Sequence, residues 1–242
     1  MRTLPQRFEE GGTMIFSGSR NVIKSFSVDP DCAVLRNVVV KRFRPRNIFQ
    51  LLAYSTFWQS KAKRAYHNGR HLIRLCEHST PYPIAYAEER HNGLMGRCYY
   101  LTPCTEAQSV APLLNVADYN RALAKAFARF IAMLHEGGIV HHDLNFSNVL
   151  YTEDKGQYDI SVIDINRMTV SNHLTLADCK DDFVRWTDDM QLFEHVMREY
   201  ARARKLDEET FLSQALAMKQ QHDKAWKRRK DFTHKIKKLF IF

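Results

Sequence analysis

The hydrophobic pattern changes period along the chain. In the first third, Thr13–Phe16 and Val22–Phe26 are short β-favouring runs. Ser17-Gly18-Ser19-Arg20-Asn21 between them has hairpin-turn chemistry. Val38-Val39-Val40 is a β-branched run leading into Lys41, and Arg44-Pro45-Arg46 ends it. From Asn47 to Cys76 the segment reads as helical, broken only by Gly69, and Thr80-Pro81-Tyr82-Pro83 closes it. Ile84–Glu88 and Arg97–Leu101 read as paired strands joined at His91-Asn92-Gly93. Beyond Asp118 the period becomes helical. Leu123, Phe127, Phe130, Ile131 and Leu134 share a face, with Asp118 as the expected N-cap and Gly137-Gly138 as the stop. Strands Asn148–Tyr151 and Ile160–Ile165 follow around the polar turn Glu153–Gln157. From Asp178 to the end there is no glycine or proline, and the pattern is helical throughout. The expected fold class is α+β, with a β-rich lobe over residues 1–104 and a helical lobe over 105–242.

Composition narrows the class. The chain has 242 residues, enough to bury a core without disulfides. Hydrophobic residues make up 45% and aromatics 12%, which excludes a disordered chain. No apolar run approaches the ~20 residues of a bilayer span. Met1–Gly12 has no apolar signal region, so a cytoplasmic location is expected. The five cysteines are widely spaced and form no Cys-x-x-Cys pair, so free thiols are expected rather than disulfides or a zinc site.

The chemistry concentrates in Ile139-Val140-His141-His142-Asp143-Leu144-Asn145-Phe146-Ser147-Asn148. An apolar pair enters His-x-Asp, and an Asn stands five positions after the Asp. Later, Val162-Ile163-Asp164-Ile165-Asn166 places an acid at the end of an apolar strand. Phosphoryl transfer needs one carboxylate to take a hydrogen bond from the attacking hydroxyl. It also needs hard oxygen ligands to hold Mg²⁺ on nucleotide phosphates. Asp143 fits the first task, and Asn148 with Asp164 fits the second. Together with Val38-Val39-Val40-Lys41, whose ammonium suits the α- and β-phosphates, this order resembles the protein-kinase-like superfamily. That resemblance implies a two-lobe fold, ATP and Mg²⁺. It makes Lys41 and Asp143 the catalytic pair and gives His141 a scaffold role. Gly18, Ser19 and Asn145 are the further nucleotide-contacting candidates, Gly18 and Ser19 through backbone amides of a thin phosphate loop.

Val39-Val40-Lys41-Arg42-Phe43, Ser60-Lys61-Ala62-Lys63-Arg64-Ala65-Tyr66, Thr80-Pro81-Tyr82-Pro83-Ile84-Ala85-Tyr86 and His142-Asp143-Leu144-Asn145 resemble the lipopolysaccharide kinase family more specifically. Asn145 stands where protein kinases carry a Lys. The family resemblance implies transfer of the γ-phosphate of ATP to a Kdo or heptose hydroxyl of a lipid-linked bacterial glycan. Three departures matter. No acid lies between Cys32 and Cys76 to pair with Lys41, and Lys63 stands about where a Glu is expected. The metal motif is Asp164-Ile165-Asn166, without a glycine. No Ala-Pro-Glu segment is present. A small-molecule or protein kinase of the same fold, or a pseudokinase that binds without turnover, therefore stays open as an alternative.

Charge adds a partner. The formal net charge is +9, with ten basic and no acidic residues between Cys32 and Cys76. Lys219–Phe242 carries nine basic residues against Asp223 and Asp231. In that tail Phe232, Ile236 and Leu239/Phe240 recur at helical spacing beside the basic positions. Such a helix either packs its stripe on the core or lies on an anionic membrane. The expected location is thus the cytoplasm, peripherally on the inner face of the cytoplasmic membrane. Nucleic acid is not expected, because the front-lobe basic residues lack interleaved stacking aromatics.

Overall fold

A computed structural model describes residues 3–19, 21–28, 36–44 and 58–239, with the side chains of the last helix described to residue 233. The expected break at Arg44-Pro45-Arg46 and the helical reading of 47–57 fall largely outside the described residues. So do Arg20 in the first turn and Cys32. The chain divides into two compact units, one of residues 1–108 with 161–168 and the other of 109–160 with 169–242.

Among the described residues, the first unit is a five-stranded antiparallel sheet with two α-helices. Helix α1 (Leu4–Glu10) precedes β1 (Thr13–Ser17), β2 (Asn21–Ser27), β3 (Asn37–Phe43), helix α2 (Lys61–Leu75), β4 (Ala85–His91) and β5 (Leu94–Pro103). The strand order is β1-β2-β3-β5-β4. Side chains alternate across a strand. β3 therefore sends Val40 and Arg42 to one face and Val39, Lys41 and Phe43 to the other. The register aligns Val22 with Arg42 and Tyr99, and Ile23 with Lys41 and Tyr100.

Helix α1, which the hydrophobic pattern did not predict, covers the Val40 face. Its start was legible in retrospect: Gln6 accepts a hydrogen bond from the Thr3 amide and Pro5 sits in the first turn. Phe8 is fully buried against Val22, Val40 and Tyr99. The Arg42 guanidinium lies 4.6 Å from the Phe8 ring centroid and donates to Glu9 at 2.5 Å; Arg97 donates to the same carboxylate at 2.6 Å. Lys24 donates to the Phe8 and Gly11 carbonyls at the helix end.

Helix α2 belongs to the other face. Ser60 caps it by accepting from the Lys63 amide at 3.0 Å. Its buried stripe is Ala62, Ala65, Gly69 and Leu72. Three of these four are small, which lets the helix come close to its neighbours. A Cβ on Gly69 would stand 3.1 Å from the Tyr100 hydroxyl oxygen.

The second unit contains α3 (Ala111–Leu114), α4 (Arg121–Glu136), β7 (Ile139–Val140), β8 (Val149–Asp154), β10 (Thr169–Val170), α5 (Lys180–Val184), α6 (Met190–Ala203) and α7 (Glu208–Leu239). Strands β6 (Gln108–Ser109), β8 and β9 (Gln157–Val162) form one small sheet, and β7 pairs with β10. The cap of α4 is Asn120, which accepts from the Leu123 amide, rather than the expected Asp118. Both are good cap residues, and Asn120 stands immediately before the first apolar turn. Gly138 has φ +75, and a Cβ there would lie 2.1 Å from the Ser171 carbonyl, so the turn into β7 needs glycine. The helical pattern expected after Asp178 is divided, among the described residues, into three helices. Breaks fall at 185–189, where Asp189 caps α6, and at 204–207, where Lys205 takes φ +53. Propensity without Gly or Pro did not reveal them.

Helix α4 packs on α6, and its Leu123, Phe127, Ile131 and Leu134 are all fully buried. The start of α7 is anchored by Phe211, Leu212 and Ala215, whereas residues 224–233 are exposed. No helix among the described residues is long and apolar enough to cross a membrane. Cys98 and Cys179 are buried free thiols, and burial pushes the Cys179 pKa up to about 12.

Phe8→Ala removes the one aromatic that α1 buries under the sheet. We expect a loss of about 3–5 kcal/mol in urea unfolding of the first unit. A loss below ~1 kcal/mol would mean α1 is not part of that core.

Candidate active site

Lys41 is placed by the β3 register on the face opposite α1. Its Nζ donates to Asp164 Oδ1 at 2.6 Å, with the two side chains 14% and 29% exposed. Asp164 reaches it because residues 161–168 return to the first unit. The Val162 amide donates to the Ser79 carbonyl at 2.9 Å, and the Thr80 hydroxyl donates to the Val162 carbonyl at 2.7 Å. Asn68 of α2 then donates to the Ile165 and Met168 carbonyls at 2.7 and 3.1 Å, clamping the short 3₁₀ turn Ile165–Arg167. Asp164 itself takes φ 60, ψ 38, a left-handed conformation uncommon for residues other than glycine and one that Asp tolerates better than most. Asn166, two positions on, donates to Asp164 Oδ1 at 2.6 Å. Held backbone in this region is a recurring mark of functional sites.

Lys41 and Asp164 share a cavity of about 110 Å³ whose other walls include Ile23, Val39, Ala65, Tyr100 and Thr102. The α2 residue that faces this cavity is Ala65, not Lys63. Lys61, on the same helix, is half-buried; burial lowers its pKa, with the Cys98 thiol opposing and Arg64 adding to that. The acid that meets Lys41 among the described residues is Asp164. The cavity lining includes neither Gly18 nor Ser19. The Gly18 amide donates to the Asn21 carbonyl at 3.0 Å, and Ser19 is an exposed bend.

The His-x-Asp segment lies in the second unit, held from beneath by a residue the sequence reading passed over. Asp182, fully buried in α5, accepts from the His141 amide at 2.6 Å and the His142 amide at 2.7 Å. His135 Nε2 stands 3.4 Å from it, and Trp186 Nε1 donates to the Asp182 carbonyl at 3.0 Å. His142 takes φ 64, so the chain turns sharply just before Asp143. His141 is fully buried, and its Nδ1 accepts from the Asp143 amide at 3.3 Å, a scaffolding contact. His142 is held at both ring nitrogens, by Asp181 at 3.4 Å and Thr169 at 2.8 Å.

Asn148 Nδ2 donates to the Asp143 carbonyl at 2.9 Å, which leaves its Oδ1 as the atom it can offer a cation. Asn145 Nδ2 donates to the same carbonyl at 3.1 Å, and its Oδ1 accepts from the Ser147 amide at 3.0 Å. Asn145 therefore caps the 3₁₀ turn Phe146–Asn148. The structure brings Asp143, Asn145 and Asn148 together in one unit and Lys41 and Asp164 together in the other. Among the described residues no group of three or more His, Cys, Asp or Glu is placed to hold a metal by itself. One carboxylate and one amide oxygen are hard donors suited to Mg²⁺, which commonly takes few protein ligands and completes its shell with water and phosphate.

Residues 23–181 match the family model described as lipopolysaccharide kinase (Kdo/WaaP) family. The chain belongs to that family. Its matched span contains Lys41, Asp143, Asn148 and Asp164. A 3-deoxy-D-manno-octulosonic acid kinase of Haemophilus influenzae (strain 86-028NP) is 30% identical over 102 residues, covering 40% of this chain and 42% of that protein. The match thus spans less than half of that relative's length. A solved structure described as WaaP in complex with acyl carrier protein superposes with a TM-score of 0.60 at 16% identity, over 87% of this chain and 88% of that one. That likeness shows the fold. The chain has the α+β, kinase-like architecture expected, with a β-rich first unit and a helical second one.

Asp182 was hidden because nothing local separates it from Asp181. Its one signal was position, an acid followed directly by the buried pair Phe183-Val184. Asp182→Asn keeps the volume and removes one acceptor oxygen from two buried amides. We expect a stability loss of about 1–3 kcal/mol and faster hydrogen exchange at the His141 and His142 amides. Unchanged exchange at both amides would show that Asp182 does not hold the loop.

Proposed function

We propose that the chain is an ATP- and Mg²⁺-dependent kinase that transfers the γ-phosphate to a Kdo or heptose hydroxyl of the lipopolysaccharide inner core. One observation carries the reading. Lys41 and Asp164, 123 positions apart, meet at 2.6 Å beside an apolar cavity, the combination a nucleotide base and its phosphates require. The family match and the Asp143–Asn148 loop held by Asp182 support it.

In this reading residues 1–104 form the nucleotide lobe and 105–242 the catalytic lobe. Lys41 binds the α- and β-phosphates. Asp143 accepts the hydrogen bond of the attacking sugar hydroxyl and takes its proton. Asn148 Oδ1 and the Asp164 carboxylate hold Mg²⁺, which supplies neutralisation of phosphate charge. Asn145 keeps Asn148 and Asp143 in register by capping the turn between them and faces the nucleotide. Ser19 offers its backbone amide to phosphate, whereas the Gly18 amide is held by the Asn21 carbonyl in the turn. A kinase-fold module that binds without turnover is the second reading, and its supporting observation is Ala65 at the cavity wall where an acid would pair with Lys41.

We further place the protein peripherally on the cytoplasmic face of the inner membrane, where a lipid-linked acceptor is met. Trp226 is 57% and Phe232 65% exposed, among exposed Lys224, Lys227, Arg228, Arg229 and Lys230. Aromatic side chains amid basic ones suit an anionic interface. The side chains at Ile236 and Leu239, and the residues Phe240 and Phe242, lie outside the described part.

The test is transfer of labelled γ-phosphate from Mg·ATP to lipid A bearing Kdo, presented in phosphatidylglycerol vesicles. Wild type is expected to label the sugar. Asp143→Asn is expected to label it at least ~10²-fold more slowly while binding ATP as well as wild type. ATP binding without labelling by wild type favours the second reading.

A further inference from the structure

Tyr100 is a buried side chain whose polar end has no partner among the described residues. The residue is 8% exposed, and its hydroxyl has no hydrogen-bond partner among the described residues. Burial raises its pKa, so the phenol stays neutral. An unpaired buried hydroxyl is costly, and Phe would fill the same space without that cost. Its location shows what the hydroxyl can serve. Tyr100 stands directly across from Lys41 in the β3–β5 register, so the two side chains project to the same face. Both line the 110 Å³ cavity that also holds Asp164. Helix α2 brings Ala65 to that cavity, and Gly69 leaves room for the Tyr100 hydroxyl. None of the residues 61–75 is acidic.

We propose that Tyr100 is the positioning residue for Lys41, doing from β5 what a helix carboxylate would otherwise do. Its hydroxyl oxygen accepts a hydrogen bond from Lys41 Nζ when a metal–nucleotide complex engages Asp164. An ammonium has three N–H donors and the phenol oxygen can accept one of them, so Lys41 keeps the others for phosphate. A neutral acceptor also leaves the positive charge of Lys41 undiminished. Ligand-free, the lysine rests on Asp164; with nucleotide bound, Tyr100 keeps it from swinging into solvent. The inference rests on the kinase reading and adds to it the answer to how Lys41 is held without a helix acid.

Tyr100→Phe tests it, with three readouts on the full chain. Thermal unfolding without ligand is expected to be unchanged or slightly raised, because an unpaired hydroxyl has been removed. Calorimetric affinity for Mg·ATP is expected to fall about tenfold, the size of one lost hydrogen bond to a charged group. In turnover, KM for ATP should rise while KM for the Kdo acceptor stays the same. Wild-type affinity for Mg·ATP in the variant overturns the proposal. So does a drop of several degrees in the ligand-free unfolding temperature, since the hydroxyl would then be structural. Failure of wild type to bind Mg·ATP is a different result: it overturns the kinase reading itself, and this proposal with it.

Discussion

The ion pair between Lys41 and Asp164 is the constraint on which the first unit's chemistry depends. Neither residue is near the other in sequence, and neither reaches the pair by local propensity. Lys41 gets there because β3 is central in its sheet, with β2 and β5 fixing its register on both sides. Asp164 gets there because Ser79, Thr80 and Asn68 capture the returning segment through its backbone. A partly exposed ion pair contributes little net stability. Its importance is positional: it sets a cation and an anion at the mouth of an apolar cavity, with the left-handed Asp164 backbone held by contacts that do not involve the pair.

The same sheet separates structural from chemical work by strand alternation. Even-numbered positions of β3 meet α1, where Phe8, Arg42 and Glu9 build a packed and charge-paired floor. Odd-numbered positions meet the cavity. A one-residue slip of β3 would exchange Lys41 for Arg42 and abolish both arrangements. In the second unit a buried carboxylate plays the equivalent part. Asp182 holds two consecutive amides ahead of Asp143, and the His142 turn commits the loop to that grip. In each unit the candidate site residue is thus presented by backbone hydrogen bonds rather than by its own packing.

Much of this was legible in the sequence, and the limits have physical causes. The strands around Lys41, the His-x-Asp loop and the strand before Asp164 carry strong local signals. Apolar runs, turn residues and motif spacing agree with the observed elements. What escaped were features decided by tertiary context. Helix α1 has only seven residues and a weak apolar stripe, so its start signals went unused. The α4 cap shifted from Asp118 to Asn120 because two competent caps stood two positions apart. Breaks among α5, α6 and α7 occur without glycine or proline. Lys63 was the position expected to replace the helix acid, yet Ala65 is the one at the cavity, because the helix phase follows the small-residue stripe Ala62-Ala65-Gly69. Tyr100 and Asp182 matter through what they meet across the fold, which spacing along one chain does not encode.

In the proposed function, Lys41 and Asp164 form the phosphate and metal ends of one nucleotide site. A crystal structure with Mn²⁺ and a non-hydrolysable ATP analogue tests it most directly. The expected result is an anomalous peak coordinated by Asp164, with Lys41 released from Asp164 and bonded to the phosphates. An intact Lys41–Asp164 pair, with the nucleotide bound elsewhere and no metal at Asp164, would contradict it.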